Sequence, residues 1–128
     1  MRIQSILLVF LPWLMAFQCA AQLKKAYLGQ YTGEIGSYEI STGQELFTVQ
    51  PVAIRAHLDR DSLHLQIGDR HFAGTYEILL ETQTYILLEA LLANQIAPER
   101  IIVYKKGKKI SREGIKPQPD AILKKVKT

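Results

Sequence analysis

The feature that most constrains this chain is the regular alternation of side chains between residues 52 and 80. Apolar residues recur there at every second position, which is the period of a half-buried β-strand. The series breaks at residues 59–62, where Asp-Arg-Asp-Ser indicates a turn, and again at Gly68-Asp69. A glycine-first pair favours a tight hairpin because glycine accepts a positive φ. The stretch is therefore predicted to form three antiparallel strands with one face in the core.

The second turn also predicts the register of its hairpin. Counting back from the turn places Leu65 opposite Phe72 and Leu63 opposite Gly74. A register shifted by one residue would bring core leucines against the polar face. The inward series is expected to continue along the third strand as far as Leu80.

The remaining apolar segments extend this pattern towards the carboxy terminus. Tyr85 to Leu92 is apolar on both parities except at Glu89, as in a central strand covered on both faces. A helix is the alternative for this run, but Thr82 and Thr84 before it favour a strand and no helix cap precedes it. Two further strands are predicted, one over residues 100–105 and a short one that begins at Ile110. A turn at Lys106-Gly107 joins them. After two prolines, Asp120 is predicted to cap one short helical turn through Lys125.

Residues 22–128 are predicted to form a single all-β domain. Near the amino terminus Gly29, Tyr31 and Gly33 share one parity, and glycine inside a strand marks a bend or a close approach of backbones. Residues 38–40 and 46–50 flank a turn and form a hairpin. The total is an antiparallel meander of about eight short strands, which closes or nearly closes into a barrel; a β-sandwich is the alternative.

The layout resembles that of small lipocalin-like barrels. The resemblance depends on the early Gly29-Gln30-Tyr31 strand, with tyrosine where lipocalins usually have tryptophan, on the long meander and on the short carboxy-terminal segment. It implies an apolar internal cavity, although a barrel this small can also be filled by its own side chains. The candidate cavity residues are Tyr31, Phe72, Tyr76, Leu88 and Glu89.

The first 21 residues have the pattern of a secretory signal peptide. Arg2 precedes an apolar run from Ile6 to Phe17, and small residues end at Ala21. The run is shorter than the roughly 20 residues of a membrane span. Cleavage after Ala21 predicts an exported protein, periplasmic or secreted, whose mature chain has no cysteine and no membrane span. The alternative is a lipid anchor at Cys19.

Charge is divided unequally along the chain. Residues 22–99 have a balance of −5 and residues 100–128 a balance of +8. The carboxy-terminal hairpin and tail are therefore basic, and such clusters attract phosphates, lipid headgroups or acidic glycans. A solvated edge that resists aggregation is the alternative. The candidate anion-binding residues are Lys105, Lys106, Lys108, Lys109 and Arg112.

The three histidines share the polar face of the meander. If Leu58 opposes Leu63, His57 opposes His64, and His71 lies diagonally beside His64. Cross-strand Cβ atoms are about 5 Å apart, so these side chains are candidate metal ligands. Three unrelated surface histidines are the alternative, because no carboxylate is predicted beside them.

Glu89 has two predicted orientations. If the turn before Tyr85 has three residues, Glu89 faces Glu77 outside the barrel; if it has two, Glu89 points inward beside Tyr76, where burial would raise its pKa.

The sequence favours binding over catalysis. It contains no nucleophile elbow, zinc-protease helix, phosphate-cradling loop or calcium loop. We therefore expect an exported non-enzymatic binding module without a cofactor, which holds a small apolar ligand or presents a binding face. The alternative is an envelope-associated interaction protein that contacts an anionic surface or a protein through its basic region. Nucleic acid is not an expected partner.

Overall fold

The computed structural model describes residues 22–127. The predicted signal peptide and Cys19 lie outside the described residues. After a short 3-10 helix the chain forms ten antiparallel strands. Their bounds are Lys25–Tyr27 for the helix, then β1 Gly29–Ile35, β2 Tyr38–Ser41, β3 Leu46–Val49, β4 Val52–Leu58, β5 Ser62–Ile67, β6 Arg70–Glu81, β7 Tyr85–Leu92, β8 Glu99–Tyr104, β9 Lys109–Arg112 and β10 Ala121–Lys125.

Eight strands form a closed barrel in the order β1, β10, β9, β8, β7, β6, β5, β4, and β2 and β3 form a separate hairpin. The barrel is confirmed and the β-sandwich alternative is not. An eight-stranded antiparallel barrel is compatible with a lipocalin-like layout. Closure removes the free sheet edges that would otherwise offer unpaired backbone groups to other chains.

The register predicted for the meander is confirmed. Leu65 lies opposite Phe72 and Leu63 opposite Gly74. Gly68 has a φ of 61° in the turn between them, a conformation that suits glycine. The first two strands of the meander, β4 and β5, also pair as expected, with Leu58 opposite Leu63.

The barrel closes at β1, which pairs with both β4 and β10. Gly33 lies on the β10 side, where an added Cβ would come 2.5 Å from the carbonyl oxygen of Ile122. The predicted close approach of backbones at this glycine is therefore confirmed.

The predicted helical turn at the carboxy terminus is wrong. Residues 121–125 form strand β10, with Ala121 and Leu123 buried and Ile122 exposed. This segment fills the gap between β1 and β9, and its backbone groups complete both ladders. The Asp120 carboxylate does not cap a helix, because it accepts a hydrogen bond from the backbone N–H of Gly114 at 2.9 Å.

Two further expectations fail on the outer surface of β6 and β7. The register shifts between Ile78 and Leu80, so Leu80 is not in the core and 47% of its surface is exposed. A bulge adds one residue to a strand and reverses the facing of those beyond it. Strand β7 is also not covered on both faces, since Leu91 is 71% exposed.

The side chains of the barrel fill its interior. The largest central residues expose less than 2% of their surfaces, which leaves no space for water beside them. These fully buried residues are Tyr31, Ile35, Ile54, Leu58, Leu63, Leu65, Leu88, Ile101, Val103, Ile110 and Leu123.

Strand direction gives the barrel two chemically different ends. The basic end carries the 3-10 helix, the turns at 59–61, 82–84 and 105–108, and residues 126–127. The hairpin end carries the β2–β3 hairpin, the turn at 68–69 and the loops at 93–98 and 113–120.

Candidate functional site

The candidate cavity residues do not enclose a cavity in the described part of the chain. Tyr31 and Leu88 are each 1% exposed and belong to the packed core, and Phe72 packs against that core. The Tyr76 hydroxyl oxygen lies within hydrogen-bond distance of two backbone carbonyl oxygens in the 59–61 turn, that of Asp59 at 2.6 Å and that of Arg60 at 2.8 Å. Burial, with the nearby charges of Asp61 and Asp59, raises the pKa of Tyr76 to about 12. These residues therefore stabilise the barrel.

Glu89 faces outward, so the inward alternative is wrong. It lies opposite Glu77 on β6, as expected for the longer turn. On the other side Arg100 Nε lies 3.3 Å from its carboxylate. An exposed pair of this kind contributes little to stability.

The histidines occupy the predicted face. His57 lies opposite His64, with ring centroids 6.3 Å apart, and His71 lies opposite Gln66 on the neighbouring strand pair. A carboxylate is present here after all, because Asp59 contacts His57 Nε2 at 2.9 Å and lies 3.8 Å from His64 Nε2.

This arrangement does not bring the three histidines together as a metal site. Among residues 22–127, no group of three or more His, Cys, Asp or Glu side chains lies close enough to hold a metal ion. The turn residue Asp59 instead binds the histidine of β4. The face is a polar surface in which two imidazoles share one carboxylate.

Arg112 is not an anion-binding surface residue. It is 3% exposed inside the barrel, where its Nε and Nη2 donate to the two oxygens of Glu99 at 2.9 and 2.8 Å. Its Nη1 donates to Gln118 at 2.7 Å, and Gln95 donates to Glu99 at 2.9 Å. This buried network links the loops at 93–98 and 113–120 to strands β8 and β9. It could have been found from parity, because Arg112 shares the inward parity of Ile110.

The basic end holds the remaining cations of the predicted anion site and several others. Its lysines come from the first described segment, from the β8–β9 turn and from the last strand, which are brought together by the β1–β10–β9–β8 order. They are Lys24, Lys25, Lys105, Lys106, Lys108, Lys109, Lys124, Lys125 and Lys127.

Only one of these lysines forms an ion pair within the described residues. Lys105 Nζ lies 2.8 Å from Glu81, and this hydrogen bond, with the charges of Lys105 and Lys24, lowers the pKa of Glu81. Lys109 lies over the ring of Tyr104, with Nζ 5.1 Å from the centroid, and directly opposite Lys124. Two like charges on facing positions repel. The cations at this end outnumber the carboxylates of Asp59, Asp61 and Glu81, so it carries a net positive charge that an external anion would relieve.

In residues 22–127 no helix is long and apolar enough to cross a membrane. Comparison with protein-family models, with curated proteins and with solved structures finds no match for this chain.

Proposed function

We propose that the protein is an exported, non-enzymatic binding module that contacts an anionic membrane surface through its basic end. The observation that carries the proposal is the gathering of nine lysines at one end of the barrel, of which Lys105 alone has an acidic partner among the described residues. The interior argues for an external site, because its side chains fill the space that an apolar ligand would need.

The kind of cation supports a lipid surface over a single bound anion. Apart from Arg60 in the 59–61 turn, the cations at this end are lysines, which act as hydrated point charges on flexible stems, whereas arginine is the residue suited to bidentate recognition of one phosphate. A diffuse layer of headgroups requires no fixed geometry, and each lysine near an anionic bilayer is worth about 1 kcal/mol.

An exposed aliphatic side chain among the lysines gives further support. Val126, between Lys125 and Lys127, is 39% exposed. Interfacial binding combines electrostatic attraction with insertion of such groups at the headgroup boundary. A purely solvated edge has no need of them.

The test is binding of residues 22–128 to vesicles of phosphatidylcholine with and without phosphatidylglycerol. We expect binding only to the anionic vesicles and a steep loss with added salt, because the Debye length falls to about 8 Å at physiological ionic strength. Replacing Lys106, Lys124 and Lys127 by glutamine should weaken binding roughly 100-fold, at about 1 kcal/mol per lysine.

A matched control removes three exposed cations outside the basic end, by replacing Arg55, Arg70 and Lys116 with glutamine. It has the same net charge as the triple-lysine variant. The proposal is wrong if both variants lose the same affinity, or if neutral vesicles bind the protein as well as anionic ones.

A further inference from the structure

The β2–β3 hairpin carries an apolar face with no extensive cover from the barrel. Tyr38 pairs with Val49 and Ile40 with Phe47, so all four side chains share one face. Ile40 is 38% exposed and Phe47 is 50% exposed. The two strands contact chiefly each other, and an isolated two-stranded hairpin is marginally stable in water. A partner surface would therefore stabilise it.

A second apolar surface lies on the outer wall of the barrel. Cross-strand pairing places one outward row side by side from β6 to β10, formed by Leu80, Leu87, Ile102, Ser111 and Ile122. Leu80 and Ile122 are 47% and 57% exposed. This row is partly apolar and unbroken by any charged residue.

The loop at 113–120 stands over part of this row and forms a groove with it. The groove, here called the outer groove, has a volume of about 1310 Å³ and is lined by Ile102 and Ser111 on the barrel side and by Ile115, Pro117 and Pro119 on the loop side. Ile115 is 58% exposed. The space is large enough for several side chains of a hairpin, since ligand pockets commonly hold about 300–1,000 Å³.

The hairpin segment is acidic, whereas the wall beside the outer groove is basic. Residues 34–51 contain Glu34, Glu39 and Glu45 and no lysine or arginine. The charges that line the outer groove balance, with Arg100 and Lys116 against Glu113 and Asp120. The excess positive charge lies on the wall next to the groove, at the facing pair Lys109 and Lys124. Apolar contact and opposite charge therefore favour the same pairing.

We propose that the β2–β3 hairpin of one molecule docks in the outer groove of a second copy, with Ile40 and Phe47 against Ile102 and Ile115. The hairpin and the groove are different surfaces of the same chain, so the contact is heterologous. Such a contact leaves one hairpin and one groove free in every dimer, and further copies add head to tail. The assembly requires no bilayer, so it goes beyond the membrane binding proposed above.

The experiment is sedimentation velocity of residues 22–128 over a range of concentrations, without vesicles. We expect the mean mass of the wild-type protein to rise beyond that of a dimer. Phe47→Ser and Ile115→Ser should each weaken assembly roughly 30-fold, which is the effect of losing one large buried apolar side chain. Ile96→Ser is the matched control, because Ile96 is fully exposed on the 93–98 loop and belongs to neither surface.

Mixing the two variants gives the sharpest result. The Ile115→Ser molecule retains its hairpin and the Phe47→Ser molecule retains its groove, so the mixture should form one-to-one dimers at the wild-type affinity and nothing larger.

Three results would overturn the proposal: a wild-type protein that stays monomeric up to about 1 mM, Ile115→Ser assembling as the wild type does, or a mixture no more associated than its components. If Ile115→Ser assembles as the wild type does while Phe47→Ser stays monomeric, the two results together would indicate that hairpins pair with hairpins instead. Cooperative thermal unfolding of each variant checks that the barrel is intact.

Discussion

Removing the buried guanidinium of Arg112 should be among the most damaging single changes in this protein. The Arg112→Met variant loses both hydrogen bonds to Glu99 and the one to Gln118. The carboxylate of Glu99 then stays 3% exposed with Gln95 as its remaining side-chain donor. Breaking a buried pair on one side costs about 3–5 kcal/mol.

That loss is large against the total stability of a domain of this size, about 5–15 kcal/mol. At roughly 4–8 °C per kcal/mol, the midpoint of thermal unfolding should fall by about 20 °C. Urea unfolding followed by circular dichroism measures the change, with an unchanged slope against denaturant showing that the folded barrel is retained.

The matched control is Arg100→Met, which removes an exposed arginine from its pair with Glu89 and should cost less than about 1 kcal/mol. Replacing Glu99 and Arg112 together by leucine and methionine should recover most of the loss, because it leaves no unpaired buried charge. The reasoning is refuted if Arg112→Met is no more destabilised than Arg100→Met.

Two other predictions follow from the interior. Because the pKa of Tyr76 is raised from 10.0 to about 12 in the folded protein, its contribution to stability is complete below pH 10 and is lost as the pH rises towards 12. Between pH 10 and 12 the free energy of unfolding of Tyr76→Phe should fall less steeply than that of the wild type. Tyrosinate absorbance should show one hydroxyl that ionises at a higher pH in the folded than in the unfolded wild-type protein. Because the interior is filled, native mass spectrometry of purified residues 22–128 should show the bare chain mass; a stoichiometric small molecule would contradict the packing argument.

The parts of the fold that sequence predicts well are those specified locally. The alternation from Val52 and the glycine-first turn at residues 68–69 determine the pairing of β4, β5 and most of β6, because both signals lie within the strands they align. The opposition of His57 and His64 follows from the same count.

The errors have different physical causes. Nothing near Ile78 indicates the extra residue that turns Leu80 outward. Residues 121–125 are too short for their pattern to separate a strand from a helical turn, and the unpaired edges of β1 and β9 select the strand. Charge alone groups Arg112 with the neighbouring lysines, whereas its parity with Ile110 points it inward and the β8–β9 pairing places it beside Glu99.

The antiparallel pairing of β1 with β10 has a practical consequence for handling the protein. The backbone N–H of Val126 donates to the carbonyl of Gln30 at 2.8 Å, so the first and last of the described residues lie at the same end of the barrel, next to the lysines. Chain ends that lie close together tolerate circular permutation. A permuted chain with a short linker between residues 127 and 22, opened at the hairpin tip around Gly43, would keep every barrel ladder. Purification tags and fluorophores on its new termini would then stand away from the surface proposed to meet the bilayer.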